Sequence, residues 1–458
     1  MKKERIETIL NELTSTGADF AEVFLEDKTT KVFDYIDRKL DSLTISDGSG
    51  VGLRIALDNQ VYYGATNDFS KKSIKEVISN LTNNINSKVK YENIKLNRLK
   101  KYRNDTNTHY TDLDIKAKLK EIDDKIWNKD KRISQVSIIL QNIEQNVTIA
   151  NHTGLYKAEN RIRSRIFITI NFKDGEKLAN IYYSKGLTTG ADLLDTIDFD
   201  EVIADLIKDG LDKLYAKPCV GKVMPVIIGP GFGGVIFHEA CGHAMEATAV
   251  ADGMSVLSYD LGKSIASSKV TIVDDGTIDK EWGSTKIDDE GCETRKNTLI
   301  KDGVLVGFLI DELNDRKMHM GVTGSGRRES YLYAPTSRMN NTYLMPGNDS
   351  IEDMIKSIDY GLYAKKLGGG QVSTETGDFN FACDLAYMIR DGKIAESVKS
   401  ASLIGNTKEI LQKVEMVGSN LELGPGMCGS ISGSVPVNVG EPTIKISSIL
   451  VGGEESEE

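Results

Sequence analysis

Two histidines and a glutamate lie close together near the middle of the chain. His238 is followed directly by Glu239, and His243 comes five residues after the first histidine, in a chain with only five histidines among 458 residues. A His-Glu pair with a second histidine one helical turn later commonly holds a zinc ion on a helix, and the glutamate then acts as a general base. These three residues therefore predict hydrolysis by a metal-activated water molecule.

The spacing of the two histidines is one residue longer than in the familiar zinc-binding helix. On a regular α-helix, positions five apart are separated by roughly 140° around the axis, so the two imidazole rings could not reach one metal ion. A π-type turn, which is one residue wider, returns His238 and His243 to the same side. Gly242 precedes the second histidine, and because glycine tolerates unusual backbone angles we expect the distortion there. The alternative is an ordinary helix that carries two unrelated histidines.

A catalytic zinc site needs a third protein ligand, and its fourth position carries water. Spacing alone does not select this ligand. The sequence leaves four residues open: Cys241, Glu246, His319 and Cys428. Cys241 lies inside the motif, where we expect its side chain to point away from the metal.

In this interpretation, the chemistry of hydrolysis explains why each residue type is present in the motif. A bound zinc ion lowers the pKa of its water and polarises a substrate carbonyl group. Glu239, adjacent to the first ligand but not itself bound, takes the proton from the water and returns it to the leaving amine. Changing Glu239 to glutamine should then preserve the metal and abolish the rate.

The glycines before the motif allow a second interpretation. Gly229, Gly231 and Gly234 lie between a predicted strand, 223–228, and a predicted helix, as in the phosphate-binding turn of dinucleotide-dependent oxidoreductases. Asp252 lies near the position of the expected acidic residue. However, Pro230 removes one backbone amide donor, and the chain continues into hairpins rather than alternating strands and helices. A tight turn with close helix–strand packing explains these glycines better.

Composition narrows the class of protein. Hydrophobic residues make up 40% and charged residues 27%, and no stretch is long and apolar enough for a membrane helix. The net charge of −11 argues against nucleic-acid binding, and the single basic run, 95–103, is typical of a solvated linker. The five cysteines form no Cys-x-x-Cys pair, as in proteins of a reducing compartment. We expect a soluble, cytoplasmic protein.

The pattern of apolar residues predicts an α+β fold in two domains. The N-terminal domain, 1–217, reads as antiparallel strands with flanking helices, and it contains 1–90 and 110–217 as candidate sub-units. A lysine- and asparagine-rich linker, 88–111, joins these sub-units. Each sub-unit reads helix, strands, helix, but without a repeat at the residue level.

The composition changes after Pro218, which marks the predicted domain boundary. The C-terminal domain, 218–453, is rich in strands and glycine and contains the predicted metal-binding helix. Asp-Gly turns predict hairpins at 299–306 and 388–394. The last five residues, 454–458, form an acidic tail that we expect to be disordered.

The chain resembles the TldD/PmbA family of metalloproteases, specifically the TldD-type branch that carries the motif. The resemblance is dense from about 223 to 453, and it is looser in the first domain, where it rests mainly on 50–54. The residues that carry it are His238-Glu239-Ala240-Cys241-Gly242-His243, Gly324-Ser325-Gly326-Arg327-Arg328-Glu329-Ser330-Tyr331, Arg338-Met339-Asn340-Asn341-Thr342, Gly368-Gly369-Gly370-Gln371-Val372, Gly377-Asp378-Phe379, and Val435-Pro436-Val437 followed by Gly440-Glu441-Pro442-Thr443.

This resemblance implies a zinc peptidase. His238 and His243 match the family's histidine ligands, Glu239 matches its catalytic base, and Cys428 matches its third ligand. Family members act on small or unfolded peptides and assemble as homodimers or as heterodimers with a PmbA/TldE-type subunit that lacks the motif. A non-catalytic peptide-binding subunit is the alternative role within such a complex.

Two further expectations concern how a peptide is held. A peptide could pair as an added strand with an exposed sheet edge, since backbone pairing gives affinity with little sequence preference. Arg327 and Arg328 have two equal interpretations, as a binding site for the peptide's carboxylate or backbone or as a structural ion pair.

Overall fold

The computed structural model describes residues 1–83, 85, 93–103, 109–373 and 375–454. Much of the predicted linker, 88–92 and 104–108, and the tail residues 455–458 lie outside the described residues. The fold class is α+β, as predicted, and strands dominate it. None of the helices in the described ranges combines the length and the apolar character that crossing a bilayer requires.

The N-terminal half consists of one seven-stranded sheet with helices packed on it. Its elements are α1 (Lys3–Leu13), β1 (Phe20–Ile36), β2 (Lys39–Leu57), β3 (Gln60–Thr66), α2 (Lys71–Thr82), β4 (Lys100–Arg103), α3 (Asp112–Trp127), β5 (Ile133–Asn151), β6 (Tyr156–Asp174), β7 (Lys177–Leu187) and α4 (Phe199–Leu214). The strand order is β3-β2-β1-β5-β6-β4, and β7 pairs with β6. Every pairing is antiparallel except that of β4 with β6.

Two apolar cores lie on this sheet. Ile6 and Leu10 of α1 pack with Leu53 of β2, whereas Ile122 of α3 packs with Ile168 of β6. The candidate sub-units therefore have separate helical layers but share a continuous sheet, because β1 pairs with β5 along 15 residues. The division of the chain at 217 stays a prediction.

The basic run corrects one expectation. Lys100–Arg103 was predicted to be solvated linker, but it forms strand β4 beside β6. Lys100 Nζ and the hydroxyl group of Tyr102 both donate to Glu293 Oε1, at 2.5 and 2.7 Å. The side chains of Lys100, Lys101 and Arg103 are exposed, so the predicted solvation of this segment is confirmed, and only its assignment as a linker was wrong.

The C-terminal half contains two larger sheets. Its elements are β8 (Lys217–Pro218), β9 (Lys222–Ile228), α5 (Val235–Phe237), α6 (Ala247–Val250), β10 (Ile272–Asp275), β11 (Lys296–Lys301), β12 (Val304–Leu305), α7 (Glu312–Met318), β13 (Gly326–Arg327), β14 (Thr336–Ser337), β15 (Asn341–Leu344), α8 (Ile351–Lys356), β16 (Tyr360–Val372), β17 (Asp378–Arg390), β18 (Lys393–Lys399), β19 (Ser402–Asn406), α9 (Thr407–Gln412), β20 (Val414–Val417), β21 (Glu422–Ser430), β22 (Gly433–Glu441) and β23 (Ile444–Gly452).

These sheets hold the motif from two sides. One has the order β12-β11-β10-β15-β22-β21, and the other has the order β16-β9-β23-β19-β17-β18-β8 with β20 on β23. In the second sheet β16 also pairs with β17, so that five of its strands close into a ring. The motif follows β9, and the hairpin of β21 and β22 from the other sheet packs against it.

The glycine turn has the structural role that was expected. The chain turns at Gly231 with φ +82°, and Gly231 N–H donates to the carbonyl group of Glu441 in β22 at 3.0 Å. A Cβ atom on Gly233 would lie 2.0 Å from Glu441 Oε1, and one on Gly234 would lie 2.5 Å from the backbone of Gly440. Because only glycine permits this approach, the turn serves helix–strand packing. Strand β9 pairs parallel with β16 and antiparallel with β23, unlike a strand of a doubly wound parallel sheet.

Arg327 and Arg328 are structural. The Arg327 guanidinium donates to the backbone carbonyl groups of Met339 and Pro436. The Arg328 side chain is fully buried and bonds Glu22 of β1 at 2.5 Å, and the same glutamate bonds Arg54 of β2 at 2.7 Å. Neither arginine is available to a peptide, and the second ties the C-terminal half to the N-terminal sheet.

Replacing Arg328 with methionine should lower the free energy of unfolding by about 3–5 kcal/mol, because Glu22 would keep a buried charge with only one arginine partner. Chemical denaturation followed by circular dichroism measures this change. Arg390→Met is the control, since the Arg390–Glu396 pair is partly exposed and ion pairs at the surface contribute little to stability. Equal effects of the two substitutions would contradict this role of Arg328.

Candidate metal centre

The motif lies on a short helix whose turns change in width. It begins as α5, continues as a π-helical turn over His238–Gly242, and ends in a 3₁₀ turn over His243–Met245. Within the wide turn, the backbone N–H of His243 donates to the carbonyl group of His238. The predicted widened turn is therefore confirmed. It places the two imidazole rings on one side, with centroids 5.2 Å apart and planes at 82°.

Gly242 is needed for a different reason from the one predicted. Its dihedral angles, φ −56° and ψ −54°, are ordinary for a right-handed helix, so the wide turn does not depend on glycine's conformational freedom. A Cβ atom at this position would instead lie 2.0 Å from the sulfur of Met339. Glycine is therefore required because the helix passes so close to the buried Met339 side chain.

The structure brings Cys428 to the two histidines from a distant part of the chain. Cys428 lies on β21, and its Sγ atom is 3.2 Å from Nε2 of His243. One potential ligand atom from each of His238, His243 and Cys428 lies within 4.8 Å of the others. His238 and Cys428 are both buried. Two imidazoles and a thiol thus converge on one point.

The other three candidate ligands lie elsewhere. Cys241 is fully buried in the apolar core, and burial raises the pKa of its thiol. His319 is exposed at the end of α7. Glu246 lies on the far side of the His243 ring, where its Oε2 atom is 3.0 Å from Nδ1.

Glu246 has a role other than that of a third metal ligand. By bonding Nδ1 of His243, its carboxylate fixes the ring so that Nε2 faces Cys428. Such a carboxylate behind a ligating histidine sets the orientation and tautomer of the ring. A glutamate three residues after a histidine on one helix can reach its ring, which is the sequence signal for this role.

The electrostatics of the cluster favour a thiolate. Burial alone would raise the pKa of Cys428, but the charges and hydrogen bonds of His238 and His243 outweigh it and lower this pKa to about 4. Burial would lower the pKa of His243, but Glu246 and Cys428 together raise it well above its usual value. The thiolate is the form of cysteine that binds metals, whereas a histidine ligand must be neutral, so metal binding at this cluster would release the proton of His243.

Glu239 lies beside the cluster on its more accessible side. Its side chain is 29% exposed, and its Oε2 atom is 3.7 Å from Nε2 of His243, the nitrogen that faces Cys428. The carboxylate is therefore close to the point where the ligand atoms converge while still reaching solvent. This is the arrangement that a general base next to a metal requires.

The residues present fit a zinc ion. Two imidazole nitrogens and one thiolate are ligands that zinc takes in tetrahedral sites, and three protein ligands leave a fourth position for water. In addition, Nδ1 of His238 is buried and has no hydrogen-bond partner among the described residues. One ring nitrogen of His238 is thus left unsatisfied by the described residues.

Comparison with known families matches the chain to metallopeptidases. Models of the PmbA/TldA metallopeptidase family match three consecutive parts of the chain: domain 1 at 21–85, the central domain at 106–214 and the C-terminal domain at 221–453. The chain belongs to the PmbA/TldA (TldD/PmbA) metallopeptidase family.

Individual relatives support the same assignment. The chain is 39% identical over 332 residues to "Metalloprotease TldD homolog" of Haemophilus influenzae, covering 71% of this chain and 69% of the relative. It is 27% identical to "Zinc metalloprotease TldD homolog" of Saccharolobus solfataricus, covering 95% and 97%. The crystal structure of TldE from Thermococcus kodakarensis has the same fold, with a TM-score of 0.75, 20% identity and coverage of 98% and 99%.

Replacing Gly242 with alanine should weaken zinc binding, because the added methyl group would push His243 and Met339 apart. We expect a loss of about 1–3 kcal/mol in stability as well, which is typical of an overpacked core. Competition with a chromophoric zinc chelator and thermal denaturation measure the two effects.

Gly429→Ala is the matched control for this substitution. Gly429 follows Cys428 on β21, but a Cβ atom there meets nothing within 4 Å. Zinc affinity should stay at the wild-type value in this variant. Wild-type affinity in Gly242→Ala as well would show that the close approach of Met339 does not position the site.

Proposed function

We propose that this protein is a zinc-dependent metallopeptidase that hydrolyses peptide bonds in small or unfolded peptides. The observation that carries the proposal is the convergence of His238, His243 and Cys428 beside the accessible carboxylate of Glu239. Membership of a metallopeptidase family and a full-length relative named a zinc metalloprotease support it.

In this proposal His238, His243 and Cys428 would hold the zinc ion. When bound, zinc supplies a water molecule of lowered pKa and polarises the substrate carbonyl group. Glu239 takes the proton from the attacking water and delivers it to the amine that leaves. Glu246 keeps the ring of His243 in place by bonding Nδ1.

Strand β21 is our candidate for the edge that holds a peptide. It is the last strand of its sheet and carries Cys428. The carbonyl groups of Pro425, Gly426 and Cys428 already accept bonds from Arg165, Trp282 and Arg338, so a peptide would pair with the exposed end at Gly429 and Ser430, next to the site. Met427 is about half exposed, and the space around Gly429 is open. Backbone pairing predicts that Met427→Ala changes peptide affinity little, whereas a large loss would contradict this binding mode.

The partner and the compartment are also proposals. The family resemblance suggests a dimer either with a second copy or with a TldE-type subunit that lacks the motif, and a TldE protein is among the chains of the same fold. All five cysteines are free thiols, which suits the cytoplasm. The alternative function, a non-catalytic peptide-binding subunit, is disfavoured by the complete set of His238, Glu239, His243 and Cys428.

Metal content and cleavage together test the proposal. Purified wild-type protein should contain one zinc ion per chain and cleave unfolded peptides, alone or with a TldE-type partner. His238→Ala should lose the zinc, whereas His319→Ala, which changes an exposed histidine, should keep both zinc and activity. Zinc without cleavage in either preparation would favour the peptide-binding alternative.

Glu239→Gln separates metal binding from catalysis. We expect this variant to keep its zinc and to cleave about 10²–10⁴-fold more slowly, because the general base is lost. Glu352→Gln, at a highly exposed position, should cleave at the wild-type rate. An unchanged rate in Glu239→Gln would show that the proposed mechanism is wrong.

A further inference from the structure

A fully buried arginine lies between the two parts of the chain that supply the ligands. Arg338 follows β14, and its side chain has no solvent exposure. Its Nη1 atom donates to Ser432 Oγ and to the carbonyl group of Gly433, both at 2.9 Å. Its Nη2 atom donates to the carbonyl group of Cys428. These contacts hold the end of the β21–β22 hairpin that carries the thiolate.

The same guanidinium faces the helix that carries the histidines. Arg338 Nε is 3.8 Å from Oε1 of Glu246, and the other oxygen of this glutamate bonds His243. Both Arg338 Nε and Glu246 Oε1 are buried and have no hydrogen-bond partner among the described residues. A buried carboxylate is costly without compensating charge, and Arg338 faces the oxygen of Glu246 that His243 does not bond.

We propose that Arg338 is a positioning residue that sets the distance between the thiolate of Cys428 and the imidazole of His243. It contacts the backbone of the cysteine and the carboxylate that orients the histidine with one rigid group. A guanidinium can do this because its donors form a planar fork, whereas a lysine offers a single point charge. This inference rests on the proposed zinc site.

A purely structural role for Arg338 makes a different prediction. If this residue only stabilised the hairpin, its loss would lower stability without changing the geometry of the ligands. The test therefore measures the metal centre itself, through zinc affinity and the visible spectrum of the cobalt-substituted protein. That spectrum reports both the coordination geometry and the bond from cobalt to the thiolate.

In Arg338→Met we expect zinc affinity to fall about 10–100-fold, the range for loss of an outer contact to a ligand. The cobalt spectrum should show a weaker thiolate-to-cobalt band. Arg338→Lys should recover part of the affinity, because it restores the charge opposite Glu246 but not all the bonds to the hairpin.

Arg163→Met is the matched control, since Arg163 is also buried and donates to backbone carbonyl groups, those of Trp282 and Ser284. It should keep wild-type zinc affinity and the wild-type cobalt spectrum.

A double-mutant cycle applies if Arg338→Met does not fold. Arg338→Gln, which removes the charge opposite Glu246 but keeps a hydrogen-bond donor, Glu246→Gln and the double variant should show a non-additive effect on zinc affinity, because the two residues act through each other. Additive effects, or wild-type affinity and spectrum in a folded Arg338→Met, would overturn the inference.

The outcomes separate this inference from the proposed function. Zinc binding that depends on Arg338 in a protein that cleaves no peptide would contradict the peptidase proposal alone. Peptide cleavage by a zinc centre that is indifferent to Arg338 would contradict the positioning role alone. A wild-type protein that binds no zinc would contradict both.

Discussion

The hydrogen bond from His243 N–H to the carbonyl group of His238 closes a turn one residue wider than that of an α-helix. The rest of the metal centre depends on this wide turn. A regular helix would direct the two imidazoles to different sides, and the thiolate of Cys428 could meet only one of them. The wide turn is short, because α5 precedes it directly and the 3₁₀ turn follows it directly. The glycine turn before the helix and the space left by Gly242 let the helix pack closely enough for β21 to reach it.

Burial of charge is the second constraint on this structure. The pKa of Cys428 is low because two histidines face it, and the pKa of His243 is high because Glu246 and Cys428 do. Such a cluster requires further charges behind it, and Arg338 supplies one beside Glu246. A similar arrangement joins the two halves of the chain, where Glu22 lies between Arg54 and Arg328. Polar contacts, rather than apolar packing alone, thus fix both the site and the position of the N-terminal sheet.

The parts that could be predicted from the sequence are those that depend on local spacing. The five-residue separation of His238 and His243 is enough to require a wide turn, and Asp-Gly turns locate the hairpins of β11 with β12 and of β17 with β18. Cys428 could be selected only through family resemblance, because it meets His243 across 185 residues and through the pairing of β21 with β22. The predicted reason for Gly242, its conformational freedom, was wrong. Glycine is needed there because of the close contact with Met339, which lies in a distant segment of the sequence. Arg338 belongs to a stretch that carries the family resemblance, but local spacing does not reveal its role, since its partners come from the helix and from the hairpin.

X-ray absorption at the zinc edge of the purified protein tests the central claim most directly, because it counts the ligands of the metal without requiring a substrate. The convergence of His238, His243 and Cys428 predicts one sulfur neighbour at about 2.3 Å, together with nitrogen or oxygen neighbours at about 2.0–2.1 Å that include two imidazoles. Replacing Cys428 with serine should remove the sulfur contribution. Zinc surrounded only by nitrogen and oxygen in the wild-type protein would contradict this account of the site.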